Sequence, residues 1–319
     1  MHAYGVVALP HTSLRLDPAL WAWFALGCAV MVAIGTYLIL SRRGLSVGMS
    51  LIVLGTILLA LRAGLILSYI TASLGRSFPL CDPLFAAADR SLGFDWMTML
   101  RWFDEQPWMA DLGWYAYWSF LPQQFVVPLM LVAARQYERA QTITLIFLVS
   151  LLLTHVVATF APAISSYPHY QLDPSHHPNV RLAHEHVHVD HYLALRRELA
   201  IDLDRPPLFG LTTFPSLHAA MAVAFGWAFW SLPHLRWAGV SLNTAMLAFT
   251  PLHGSHYLID VLAGMVLAVL VIVAGRWIMQ RVGTASRSDM KLRYAAAESS
   301  TRVPLGRVDL SSLDRSLMR

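Results

Sequence analysis

Residues 253–260 read HGSHYLID and residues 214–218 read FPSLH, and each motif stands where an apolar segment begins. Polar side chains at a membrane boundary are costly, so histidine, serine and aspartate recurring at matched positions indicate that they are used. His256 and Asp260 are four residues apart, so they share one helical face. The two motifs therefore predict a chemical site at one face of a helical membrane protein.

The composition is that of an integral membrane protein. The 319 residues are 56% hydrophobic and only 13% charged, with a mean hydropathy of +0.52, whereas soluble domains carry roughly a quarter charged residues. The net charge of +4 is spread over short loops and the tail, so we expect no nucleic-acid partner. Cys28 and Cys81 lie in unlike surroundings, which argues against a disulfide.

The chain contains about seven apolar stretches, each close in length to the roughly 20 residues that cross a bilayer. We therefore predict an all-α, polytopic bundle without a cleavable signal peptide. The last two segments nearly touch, so we expect a tight hairpin at the second motif. The segments are 19–41, 47–72, 112–134, 141–161, 215–232, 237–254 and 257–281.

Arginine placement predicts the orientation. Arg42, Arg43, the stretch 135–139, Arg236 and the tail after residue 281 fall on one side, taken as cytoplasmic. Both motifs then face the exoplasm or periplasm of a bacterial-type inner membrane. The predicted parts are an exoplasmic segment 1–18, spans 19–134 with an interfacial segment 73–111, a core 135–281 with an exoplasmic loop 162–214, and a disordered cytoplasmic tail 282–319.

Residues 82–111 alternate large apolar side chains with acids, which predicts short amphipathic helices at the interface. Two uses remain open for this segment. It can serve as a packing lid over the bundle, or it can form one wall of a substrate portal.

The residue types of the two motifs favour phosphoryl transfer. A carboxylate at Asp260 can hold the tautomer of His256 and leave the opposite ring nitrogen as nucleophile or base. Pro215 suits a first helical turn, which places Ser216 and His218 at a helix start, where amides attract phosphate oxygens. Ser216 can add a hydroxyl, and His218 can protonate a leaving oxygen.

The motifs resemble the second and third signature motifs of the type 2 phosphatidic acid phosphatase superfamily, over about residues 141–281. The resemblance implies that His256 is the nucleophile that forms a phosphohistidine, that His218 is the general acid and that Asp260 supports the nucleophile. It also implies that no metal or other cofactor is needed.

The departures from that pattern indicate a branch of the superfamily. Leu217 replaces a glycine, Phe249 and Thr250 stand where the family has Ser-Arg, and residues 160–167 lack the cations of the first motif. These features are more similar to the inositol phosphorylceramide synthase branch. A phosphodiester donor carries one negative charge and needs fewer arginine contacts than a phosphomonoester, which favours headgroup transfer.

Other residues are candidates for binding the substrate. They are His253, which can replace part of the missing arginine, Tyr167 and Arg62, which lies within a span and can instead pair inside the bundle. Loop arginines at 181, 196, 197 and 205 can also fill the gap. His184, His188 and His191 have a helical spacing that a zinc site would use, but without cysteines or a clear carboxylate partner we predict no metal.

We therefore predict a membrane lipid phosphotransferase, with a lipid phosphate or diphosphate phosphatase as the alternative. Its partners are the bilayer, a lipid phosphate substrate and an acceptor that is a lipid or water; the oligomeric state is left open. A transporter would place polar residues at varied depths, whereas here they cluster at one end. A non-catalytic scaffold would not need His218, His256 and Asp260 together.

Overall fold

The computed structural model describes residues 7–9, 12–181, 187–204, 210–275 and 277. Apart from the end of the last helix, its elements belong to one compact unit, Met1–Val273. The helices are α1 (Pro18–Leu40), α2 (Leu45–Leu74), α3 (Asp82–Ser91), α4 (Trp96–Asp104), α5 (Pro107–Trp118), α6 (Phe120–Ala133), α7 (Tyr137–Phe160), α8 (Ser166–His169), α9 (Val187–Arg196), α10 (Leu217–Phe229), α11 (Arg236–His253) and α12 (Leu258–Gly275).

The prediction of an all-α membrane bundle is confirmed, but the count of seven spans is not. Every predicted segment contains a helix, yet among the described residues only α1, α2, α7 and α12 are individually long and apolar enough to cross a bilayer. A fifth span is possible if α5 and α6, which bend by 53° at their junction, are counted together. Helix α10 has 13 residues, which gives about 20 Å of length against a hydrocarbon core of about 30 Å.

Helices α1 and α2 pack through glycines. A Cβ atom on Gly35 would lie 2.5 Å from the Gly48 carbonyl oxygen, and one on Gly55 would lie 2.9 Å from that of Cys28. Small residues of this kind let helix backbones approach closely where lipid supplies no hydrophobic driving force. The outward face of α1 carries large exposed apolar side chains such as Trp23 and Ile34, as expected of a helix in contact with lipid.

The main core lies where α2, α6, α7, α10 and α11 meet. It is built from fully buried apolar side chains, including Ile57, Val127, Phe147, Phe225 and Met246. A polar contact also lies in this interior, where the Asn243 side-chain amide donates to Gln123 Oε1 at 2.8 Å. The core therefore supports α10 and α11, which lead into and out of the two sequence motifs.

Two short helices, α3 and α4, form within the segment 82–111. Helix α3 buries Asp82, Phe85, Ala86 and Asp89 on one face. This i, i+3, i+4, i+7 spacing is that of an amphipathic helix, but its buried stripe contains two carboxylates. Buried carboxylates require hydrogen-bonding partners, so Asp82 and Asp89 are expected to have a structural role.

A small sheet, absent from the sequence-based expectations, ties the beginning of the chain to the loop before α10. Strand β1 (Val7–Ala8) pairs antiparallel with β2 (Leu14–Leu16), and β2 pairs parallel with β3 (Ile201–Asp202). The predicted disordered tail, 282–319, lies outside the described residues, as do residues 1–6.

Candidate active site

The two sequence motifs meet in one chain of hydrogen bonds. His256 Nδ1 lies 3.2 Å from Asp260 Oδ2, and His256 Nε2 lies 3.3 Å from Ser216 Oγ. His256 is 5% exposed and Asp260 is completely buried. A carboxylate accepts only, so Nδ1 carries the proton and Nε2 keeps the lone pair. The arrangement can thus present His256 Nε2 as a nucleophile.

Helix α12 approaches the start of α10 very closely. The Ser216 amide donates to the Asp260 carbonyl at 3.0 Å, and the Ser216 hydroxyl caps α10 by accepting from the Ala219 amide at 3.3 Å. A Cβ atom on Gly264 would lie only 2.2 Å from the Ser216 carbonyl oxygen. Glycine at 264 is therefore what allows the serine of one motif to reach the histidine of the other.

The N-terminus of α12 is capped by a residue distant in sequence, Asp89 of α3. Its two carboxylate oxygens accept from the Leu258 and Ile259 amides at 2.8 and 2.9 Å. Negative charge is favourable at a helix N-terminus, where the amides would otherwise be unpaired. Burial raises the pKa of Asp89, and the two amide hydrogen bonds oppose that rise.

A second carboxylate of α3, Asp82, holds the segment that enters α8. It accepts from the Ile164 and Ser165 amides, both at 3.0 Å, and from the Tyr257 hydroxyl, also at 3.0 Å. Burial, with Asp82 alongside, raises the pKa of Tyr257 well above its usual range, so the phenol stays protonated and donates. Where the family's first motif was expected, this chain thus has a backbone segment bound by Asp82.

The turn before His256 is conformationally strained, and hydrogen bonds from other segments of the chain hold it in place. Ser255 has a left-handed φ of 55°, which costs a non-glycine residue about 1–2 kcal/mol. Its hydroxyl accepts from the Tyr167 amide and its carbonyl from the Ser166 amide, both at 3.0 Å. Trp96 of α4 adds a hydrogen bond from its indole nitrogen to the His256 carbonyl at 3.1 Å. The histidine backbone is therefore fixed on both sides.

A cavity of about 400 Å³ opens beside this hydrogen-bonded chain. His256, His218, His253 and Tyr167 all line it, so four of the predicted site residues share one space. Most of the wall is apolar, from α2, α6, α7 and α10. In the part of the chain that the structure describes, no arginine, lysine, aspartate or glutamate lines the cavity.

His218 is held in the cavity wall by aromatic side chains. Its ring is stacked on that of Tyr117, with centroids 4.3 Å apart and planes 10° from parallel. The centroid of the Phe120 ring lies 4.1 Å from that of His218. Stacking on the bend between α5 and α6 fixes the plane of the imidazole. A half-buried, oriented histidine of this kind can exchange a proton with a bound substrate.

Tyr167 and His253, both predicted to bind substrate, make mainly structural hydrogen bonds. The Tyr167 hydroxyl donates to the Leu252 carbonyl, and burial raises the pKa of Tyr167, so it remains a donor. His253 Nδ1 lies 2.8 Å from the Arg181 carbonyl oxygen. Both residues nevertheless line the cavity.

Arg62 is not brought to the cavity. Its guanidinium lies 4.1 Å from the centroid of the Trp21 ring on α1. The cavity-lining residues of α2 are Leu61, Gly64, Leu65 and Ser68, which share one helical face by their 3- and 4-residue spacing. Arg62 is one position from Leu61, about 100° around the helix, and therefore points toward α1.

Two of the four loop arginines have other partners. Arg181 is paired with Asp111 at 3.0 Å, and Arg196 donates to the Phe78 carbonyl at 3.0 Å. Arg197 is not among the residues that line the cavity, and Arg205 lies outside the described residues.

The histidines considered for zinc are only partly described. His191 Nδ1 lies 2.8 Å from the Tyr69 hydroxyl, and His188 Nε2 lies 3.5 Å from Ser165 Oγ. His184 is outside the described residues. Among the described residues, no three histidines, cysteines or acids are grouped as metal ligands.

The comparison with known families agrees with this geometry. The profile of the PAP2 superfamily matches residues 84–274, more than half of the chain, and spans α10, α12 and the hydrogen-bonded chain between them. The chain belongs to the PAP2 superfamily. No curated protein and no solved structure matches it. Membership supports an enzyme of the lipid phosphatase or phosphotransferase type.

Sequence reasoning missed Asp82, Asp89 and Trp96, which position His256 without belonging to either motif. A signal was present for the two acids. They are seven residues apart, so they lie on the same face of α3 as Phe85 and Ala86. Carboxylates within an apolar helical stripe indicate buried hydrogen-bonding partners, although their identity depends on the tertiary fold.

We expect Asp89→Asn to lower the phosphatase or transferase rate by about 10- to 100-fold, because small displacements of a reacting group have effects of this size. The amide has one acceptor oxygen for two helix N–H donors, so the turn carrying His256 moves. Steady-state rates of the purified variant in detergent measure the effect.

The matched control is Asp95→Asn. Asp95 is an exposed cap that accepts from the Thr98 amide of α4 at 3.0 Å. Because asparagine caps a helix about as well as aspartate, Asp95→Asn should leave both the stability and the rate nearly unchanged. Equal rates for Asp89→Asn and the wild type would refute the positioning role.

Proposed function

We propose that this protein transfers a phosphorylated headgroup from a donor lipid to the hydroxyl group of an acceptor lipid, through a phosphohistidine at His256. The observation that carries the proposal is the cavity at His256 and His218, whose described wall is largely apolar and holds no charged side chain other than histidine. An apolar wall fits lipid chains. A singly charged phosphodiester needs less cationic compensation than a monoester dianion.

In the first step, His256 Nε2 attacks phosphorus in line with the departing lipid alcohol. The P–N bond forms, the P–O bond to the alcohol breaks, and the alcohol oxygen takes a proton from His218. Asp260 holds the proton on Nδ1 and stabilises the positive charge that develops on the ring. Ser216 is fully buried and orients His256, and the first amides of α10, at Leu217 and His218 of the cavity wall, bind the phosphoryl oxygens.

In the second step, the acceptor hydroxyl attacks the phosphohistidine. Its oxygen bonds to phosphorus, its proton passes to the now neutral His218, and the P–N bond breaks to restore His256. Water in place of the alcohol would give hydrolysis through the same intermediate. The identity of the acceptor therefore decides whether the protein acts as a transferase or as a phosphatase.

The absence of cations at the family's phosphate-binding positions also supports the inositol phosphorylceramide synthase-like branch. Thr250 stands where the family has arginine and is fully buried, with its hydroxyl donating to the Met246 carbonyl at 2.7 Å. Residues 160–167 carry no cation. His253, the last residue of α11, lies three positions after Thr250 and lines the cavity.

We expect His256→Ala to abolish both phosphohistidine formation and product release, because no other group of the hydrogen-bonded chain can act as the nitrogen nucleophile. Incubation of purified protein with labelled donor lipid, followed by an alkaline quench that preserves phosphohistidine, measures the intermediate directly.

The matched control is His234→Ala, a histidine that is exposed in the loop before α11. It should retain the full yield of intermediate. Residual turnover in His256→Ala at more than about one thousandth of the wild-type rate would contradict the mechanism, since loss of a catalytic nucleophile typically costs more than that.

A panel of donor and acceptor lipids decides between transfer and hydrolysis. We expect phosphatidylinositol with ceramide or diacylglycerol to give headgroup transfer, and phosphatidic acid to be hydrolysed slowly or not at all. Mass spectrometry of the products, with and without EDTA, gives donor, acceptor and metal dependence in one experiment. Rapid release of inorganic phosphate from phosphatidic acid would favour the phosphatase alternative, and loss of activity in EDTA would refute metal independence.

The arginine distribution supports an active site at the exoplasmic side of a bacterial-type inner membrane. In this orientation the C-terminus is cytoplasmic. We expect a C-terminal green fluorescent protein fusion to fluoresce and a C-terminal alkaline phosphatase fusion to be inactive, because each reporter matures on only one side. The opposite pair of results would reverse the orientation.

A further inference from the structure

The wall of the active-site cavity carries a further histidine, contributed by α7. His155 lines the same cavity as His218 and His256. It is 4% exposed and lies close to the Gly64 carbonyl. Neither of its ring nitrogens makes a hydrogen bond of acceptable geometry within the described residues. The proposed phosphoryl transfer makes no use of this residue.

An unpartnered buried imidazole is costly, because desolvation of a polar group without a hydrogen bond destabilises the fold. Such a group in a cavity wall is explained when a ligand supplies the missing partners. His155 therefore marks a place where a bound molecule presents hydrogen-bonding atoms.

The surroundings of His155 indicate the kind of ligand. The neighbouring cavity walls on α2 and α7 are apolar, with Leu61, Leu65, Phe147 and Leu151. The remaining polar groups of the cavity are hydroxyls and histidines, and no arginine, lysine or acid of the described residues lines it. A neutral imidazole has one donor and one acceptor, and a hydroxyl group offers the complementary pair.

We propose that His155 binds an uncharged hydroxyl group of a lipid substrate, at a subsite next to the centre of phosphoryl transfer. Ser68 lies on the adjoining wall, where its hydroxyl donates to the Leu65 carbonyl at 2.7 Å and its lone pairs can accept. The hydroxyl belongs either to the acceptor lipid or to a polyol headgroup of the donor. The inference rests on the proposed function and adds a specificity-determining residue to it.

The test compares His155→Leu, which removes both polar atoms at similar volume, with His155→Gln, which keeps a donor and an acceptor. Phosphatidylinositol and ceramide serve as donor and acceptor, each varied at a fixed concentration of the other. In His155→Leu we expect one KM to rise about tenfold or more, as for a site that loses a buried hydrogen bond to its ligand, with kcat changed less. His155→Gln should restore most of that KM.

The substrate whose KM rises identifies the source of the hydroxyl. A rise for ceramide assigns it to the acceptor, and a rise for phosphatidylinositol assigns it to the donor headgroup. His234→Leu, at an exposed histidine, is the matched control and should leave both constants unchanged.

Thermal unfolding separates a binding role from a structural one. We expect the unliganded His155→Leu protein to unfold at the same temperature as the wild type or higher, because it no longer buries an unpartnered polar group. Unchanged KM values for both lipids would overturn the proposal. A lower unfolding temperature, with activity that His155→Gln does not restore, would also overturn it.

Failure of this inference is distinguishable from failure of the proposed function. The phosphohistidine yield of His256→Ala tests the chemistry whatever the behaviour of His155. If the wild type only hydrolyses phosphatidylinositol, the donor KM of His155→Leu still tests the subsite.

Discussion

The site depends on the bidentate contact between the Asp89 carboxylate and the first amides of α12. Amides at a helix start that is buried in a low-dielectric interior must find partners, and a carboxylate satisfies two of them while also complementing the helix dipole. Asp82 does the same for the segment that enters α8. Through these two residues, α3 fixes the turn that carries His256, although α3 contributes no side chain to the cavity.

Close backbone approach is the second requirement of the site. Gly264 brings α12 against the Ser216 carbonyl, and the left-handed Ser255 turns the chain so that His256 faces the cavity. The strain at Ser255 is offset by its hydrogen bonds to residues 166 and 167. His256, the proposed nucleophile, is therefore oriented before any substrate binds, which would reduce the reorganisation required during reaction.

Within the described residues, the cavity wall is largely apolar, and its polar side chains are hydroxyls, histidines and the indole of Trp118. Two arginines of the loop have partners away from the cavity, Arg181 with Asp111 and Arg196 with the Phe78 carbonyl. A site of this kind discriminates by hydrogen-bond geometry and by the shape of the lipid rather than by net charge. His155, whose ring nitrogens make no hydrogen bond of acceptable geometry to the described residues, fits this design, because stability is given up where a ligand can restore it.

The sequence by itself determined the helical membrane class, the positions of seven helical segments and the pairing of His256 with Asp260, because these follow from apolar periodicity and from i, i+4 spacing. Pro215 also indicated a helix start, but the helix begins two residues later, at Leu217, with Ser216 as its N-cap. Only the tertiary structure decided the roles of Asp82, Asp89 and Trp96, the bend between α5 and α6, and the direction of Arg62. These depend on contacts between residues far apart in the chain and on which helical face meets a neighbour, and local patterns carry no information about either.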